Sequence, residues 1–114
     1  METNASTVGP VLRLFEARAK PGSADKLAKK FETTSASVVR DEPGNKGYFF
    51  ARSTADEGQT LLFASLWIDL DAVKARFGVN WKSSHLPDGY AELIDECSVR
   101  HFNLASGWHV VDMA

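Results

Sequence analysis

Two histidines, one arginine and a set of aromatic residues are the side chains of this sequence best suited to chemistry. His85 and His101 are candidate proton carriers, because imidazole is the side chain whose charge changes near neutral pH. Arg13 carries a permanent positive charge on an apolar stretch, where it either holds a substrate anion or pairs across a dimer interface. Phe15, Phe63, Trp67 and Trp81, with the hydroxyl of Ser65, offer what a pocket for a flat apolar ring needs: aromatic walls and few polar groups. Each also has a plainer use. A Trp such as Trp67 fills cores anyway, Trp81 suits a pocket wall or a subunit contact, and a single His is commonly structural or exposed.

Other chemistries lack their residues. His85, His101 and His109 have no recognised metal-ligand spacing, so no metal is expected. No Gly-x-Ser-x-Gly elbow supports a nucleophilic hydrolase, and no glycine-rich loop resembles a phosphate or dinucleotide fingerprint. A formal net charge of −2 argues against nucleic acid as a partner. The one dense basic cluster, Lys26, Lys29 and Lys30, sits at helical spacing and suits a solvated helix face. No apolar run approaches the roughly 20 residues of a membrane span, so no membrane partner is expected. Residues 1–9 are polar, lack the pattern of a secretory signal, and are expected to form a disordered tail. Cys97 is the only cysteine, which rules out an intrachain disulfide and suits a reducing cytoplasm.

The elements that must position these residues follow from periodicity. Residues 11–19 alternate as a strand with Val11, Arg13, Phe15 and Ala17 on one face. Lys20-Pro21-Gly22 breaks it, and Ser23 is expected to cap a helix whose apolar stripe includes Leu27, Phe31 and Val38 and which Pro43-Gly44 ends. Residues 47–53 and 60–68 read as strands joined by a hairpin loop, the second apolar on both faces and therefore central. Asp69 caps a helix through Phe77, stopped by Gly78. A loop with Trp81 and His85 follows, then a short helix begun by Pro87, a strand over residues 97–104, and a tail holding Trp108.

This order, with 114 residues in one domain over 10–104, predicts an α+β ferredoxin-like split βαβ fold with one antiparallel sheet and both main helices on one face. The helices are expected on the aliphatic face of Leu62, Ala64, Leu66 and Ile68. Trp67, with Phe63 and Ser65, would then line a space between two sheets. An apolar sheet face without helices marks an interface or ligand site. The economical arrangement is a homodimer whose sheets enclose a dimeric α/β barrel, with residues 105–114 lying over the partner.

Two stretches carry a family resemblance. VLRLFEARAKPGSADKLAKKFE and FASLWIDLDAVKARFGVNWKSSHLPDGYAELIDECSVRHFNL resemble the antibiotic biosynthesis monooxygenase (ABM) domain family over about residues 10–104. The resemblance implies the dimeric α/β barrel. It also implies a cofactor-independent monooxygenase that oxidises a small quinol or phenolic aromatic with O₂. Trp67 matches the family's third-strand Trp, and Arg100 matches an Arg that lies near substrate on the last strand of the polyketide-oxidising branch. The haem-degrading branch uses a His on the helix after the Trp and an Asn on the first strand. Here Phe77 stands near the first position and VLRLFEARA has no Asn, so haem turnover is not expected. A non-catalytic dimeric binding or stress-associated protein of the same fold remains the other reading.

Overall fold

The computed structural model describes residues 9–104. Residues 1–8 and 105–114, and with them Trp108, His109 and the expected partner-covering tail, lie outside the described residues. Four strands form one antiparallel sheet: β1 (Val11–Ala19), β2 (Asn45–Arg52), β3 (Thr60–Trp67) and β4 (Ile94–Asn103), in the order β2-β3-β1-β4. One helical rod runs over residues 24–39, as α1 (Ala24–Lys30), a π turn (Phe31–Ser35) and α2 (Ala36–Val39). The second helix, α3 (Leu70–Phe77), follows β3. This is the expected α+β ferredoxin-like arrangement, with β3 in the sheet interior.

Local chemistry explains most boundaries. The Asp69 carboxylate accepts from the Ala72 N–H at 2.9 Å and caps α3, while Gly78, at φ 75°, ends it. Ser23 makes no side-chain cap: its backbone is already helical (φ −106°, ψ −3°), which turns the hydroxyl away from the free N–H groups. The helix expected at Pro87 shrinks to a 3₁₀ turn at Ala91–Leu93. β4 begins at Ile94 because Ala19 pairs with it across a bulge at Arg18/Ala19.

The helices cover the opposite sheet face from the one expected. Register places Val11 opposite Trp67, Arg13 opposite Ser65 and Phe15 opposite Phe63, so these six share a face, joined by His101 and Val99 from β4. That face lies under the helices. Phe31 packs edge-on against Phe63 at 5.8 Å and tilted against Phe15 at 5.8 Å, and Trp67 meets Phe77 of α3 edge-on at 5.9 Å. Trp67 is fully buried among Val11, Leu70 and Val73 and so lies between the sheet and its own helices, not in an inter-sheet space. Small residues, Ala17 and Ser65, leave room here for the helix aromatics. Leu12, Leu14, Leu62 and Leu66 occupy the other face, which also carries Glu16 and Arg18. Those two charges explain why the helices avoid it, since burying them would require removing their hydration.

Trp67→Ala is therefore expected to cost about 3–5 kcal/mol of stability, as a buried aromatic truncation does. Urea unfolding followed by circular dichroism measures it; a cost below about 1 kcal/mol would contradict the packed position.

Candidate functional site

The helix-covered face does not close completely. A cavity remains between sheet and helices, with Arg13 and Phe15 of β1, Phe63 and Ser65 of β3, Phe77 of α3, and Ser35, Val38 and Val39 around its walls. His85 and Pro87 stand at its rim. Its enclosed part is about 40 Å³, room for a few waters, and it opens to solvent.

Arg13 dominates this cavity. It is 4% exposed and forms no ion pair among the described residues. Nη1 donates to the Trp81 carbonyl at 2.6 Å and to His101 Nε2 at 3.1 Å, and Nη2 donates to the Ser83 carbonyl at 3.2 Å. Its Cζ lies 3.7 Å from the centre of the Phe77 ring, a cation–π contact. Burial, and secondarily the charge of Arg76, lower its pKa to about 10, so it stays charged at neutral pH without a carboxylate beside it.

His101 faces Arg13 directly across the β1–β4 pair. A guanidinium only donates, so Nε2 accepts and the neutral ring carries its proton on Nδ1. Burial, then the Arg13 charge, hold its pKa down to about 4. With its lone pair engaged, His101 orients Arg13 and is poorly placed to take a substrate proton. The Trp81 ring stacks edge-on against it at 5.0 Å, with the Lys74 and Lys82 ammonium groups each 5.4 Å from the indole centre. His85 contacts Phe77 edge-on at 5.8 Å. Burial first, then Arg76 and Arg13, lower its pKa too, which leaves a neutral imidazole at the cavity mouth.

Ser65 is held by its neighbour: the Trp67 indole N–H donates to its Oγ at 2.8 Å, so the hydroxyl proton is left for the cavity. Trp67 thus acts on the site from beneath. Arg100 is apart from it, on the other sheet face, pairing with Glu16 at 3.2 Å. The structure brings together Arg13, Phe15, Phe63, Ser65 and His85 at the cavity, with His101 and Trp81 behind Arg13.

Periodicity marks Ser35 and Tyr90 as inward-facing but not their mutual contact, nor the platform role of Phe77. The Tyr90 hydroxyl donates to the Lys30 carbonyl at 3.0 Å and lies 2.6 Å from Ser35 Oγ, tying the end of the 79–89 segment to the π turn. Neither Ser35 nor Tyr90 stands in a motif; the periodic stripe around Phe31 and the aromatic after Gly89 were the available signals. Among the described residues, no cluster of three or more His, Cys, Asp or Glu is placed to hold a metal ion, and no helix is long and apolar enough to cross a membrane.

A split βαβ sheet with helices on one face and a polar-floored cavity between the layers defines a ferredoxin-like α+β protein with an internal pocket. Residues 10–78 match the antibiotic biosynthesis monooxygenase (ABM) family, and the chain belongs to that family. The match ends at Gly78, before Trp81, His85 and His101. No curated protein matches in sequence. Solved structures share the fold. A protein of unknown function from Nitrosomonas europaea aligns with TM-score 0.69 at 16% identity, covering 93% of this chain and 99% of that one. SnoaB, a cofactor-independent oxygenase from Streptomyces nogalater, aligns with TM-score 0.60 at 14% identity, covering 83% and 92%. A heme-degrading protein from Mycobacterium tuberculosis aligns with TM-score 0.60 at 19% identity, covering 92% and 99%.

The site makes a pH prediction. An unfolded His titrates near 6.5 whereas folded His101 is held near 4, so the unfolded chain takes up the proton first as pH falls. The stabilising contribution of the neutral ring is whole above about pH 6.5 and is lost as pH falls toward about 4. Urea midpoints at pH 7 and pH 5 should therefore differ less in His101→Gln than in the parent, and an equal difference would show that the ring is not held neutral.

Proposed function

We propose that this protein is a cofactor-independent monooxygenase that oxidises a small quinol or phenolic aromatic with O₂. The observation that carries the proposal is a buried, charged Arg13 with no carboxylate partner among the described residues, set on a cavity walled by Phe15, Phe63 and Phe77. A fixed positive charge in an apolar site stabilises an anion forming on a bound ring far more than it would in water. The ring lies among the phenylalanines. His85, neutral and at the mouth, takes the phenolic proton. Arg13 holds the resulting phenolate, the Ser65 hydroxyl donates to it, and the electron-rich anion passes electrons to O₂. No external reductant is needed: a hydroquinone and O₂ together contain the atoms of a hydroxyquinone and one water.

The outcome expected is O₂ consumption in an electrode cell with a panel of hydroquinones, exceeding autoxidation. His85→Ala should reduce the rate about 10²-fold or more, the usual contribution of a positioned proton acceptor. Rates equal to the protein-free control across the panel would favour a binding protein of the same fold.

The same proposal includes a homodimer formed through the helix-free sheet face. Leu12, Leu14, Leu62 and Leu66 are partly exposed there, with Phe49 51% and Phe102 42% exposed. An apolar patch of this kind is characteristic of an association surface. The ion pairs Glu16–Arg100 and Arg18–Glu96 border its apolar centre. Sedimentation at micromolar concentration should give a dimer, and Leu62→Glu should give monomer; a folded parent monomer would refute the pairing.

A further inference from the structure

The guanidinium of Arg13 has five N–H donors, and three are used: two on Nη1, for the Trp81 carbonyl and His101, and one on Nη2, for the Ser83 carbonyl. The Nε–H and the second Nη2–H have no acceptor among the described residues. Arg13 is one of the residues that wall the cavity. Nε and Nη2 share one edge of a rigid plane, and that edge matches two oxygens side by side, which a single oxygen cannot fill.

The plane itself is fixed. Trp81 and Ser83 grip it through their carbonyls, His101 through its ring, and Phe77 lies 3.7 Å below. A ligand therefore meets a fork that cannot rotate to suit one acceptor. Leaving one of two desolvated donors unfilled costs binding energy, which makes the fork selective.

We propose that Arg13 selects aromatics bearing two adjacent in-plane oxygens, the catechol arrangement, over rings with a single oxygen or with oxygens in para positions. This rests on the functional reading above, for it specifies the ring that the same cavity takes. The phenolate oxygen and its neighbour occupy the Nε–H and Nη2–H donors together. A ring carboxylate presents a similar oxygen pair, but it is carried outside the ring and holds the ring one bond further from the guanidinium.

Binding measured without O₂ separates this inference from the oxygenase proposal. The probes are 4-nitrocatechol, 4-nitrophenol and 4-nitrobenzoate, titrated anaerobically and followed by their absorbance and by calorimetry. The expected result is that 4-nitrocatechol binds at least about tenfold more tightly than either of the others, a discrimination typical of one well-made hydrogen bond. Arg13→Lys, which keeps the charge and removes the planar fork, should bring the nitrocatechol and nitrophenol affinities within about threefold of each other. Equal affinities in the parent protein, tighter binding of 4-nitrobenzoate, or binding of none of the three would each overturn the proposal. So would a tenfold preference that survives in a folded Arg13→Lys. If that variant does not fold, the parent comparison alone decides. Selective binding without O₂ uptake would leave this inference standing and remove the oxygenase reading.

Discussion

A positive charge buried between a sheet and its helices, on the wall of a cavity, is the constraint on which this molecule turns. Arg13 is too buried to be hydrated in the ordinary way and has no carboxylate to neutralise it among the described residues. Isolated buried charges are costly, so the surrounding structure is arranged as a substitute for water. Two carbonyls, one imidazole lone pair and one aromatic face each turn a negative end toward the guanidinium. Those groups come from the 79–89 segment, β4 and α3. The arginine thereby fixes the path of the segment that carries His85, and the mouth of the cavity follows from it.

Much of this was legible in the sequence. The strand–helix–strand–strand–helix–strand order, the Asp69 cap, the Gly78 stop and the central place of β3 all follow from local periodicity and capping chemistry. The choice of sheet face was misjudged for a reason that can be named. Weighing β3 alone, the aliphatic side of Leu62, Ala64 and Leu66 looked better suited to helices than the side of Phe63, Ser65 and Trp67. The neighbouring strand held the answer: Glu16 and Arg18 sit on the aliphatic side, and an antiparallel partner transfers that information across the register. Charge on β1 outweighed shape on β3.

The site residues divide along the same line. Arg13, Phe15, Phe63 and Ser65 share one face by strict alternation, and their co-location was visible in advance. His101 faces Arg13 through a strand pairing that no local pattern specifies, so its hydrogen bond to the guanidinium was not legible in the sequence. Arg100, one residue earlier, necessarily points to the other face. Trp81 contributes chiefly through its backbone carbonyl, which no side-chain identity announces.

The π turn at Phe31–Ser35 has a consequence for how this chain tolerates insertion and deletion. There the Ala36 N–H reaches back five residues to the Phe31 carbonyl, where an α-helix would span four. Removing one residue from the turn would restore regular spacing and leave a continuous helix, so the secondary structure would survive. The wide turn absorbs its extra residue, so α2 would keep its phase, but the path of Phe31–Ser35 would be redrawn and with it the Ser35–Tyr90 contact and the packing of the Phe31 ring. A length change that a helix tolerates would here reshape the one wall of the pocket that the wide turn supplies, so the extra residue belongs to the site more than to the rod.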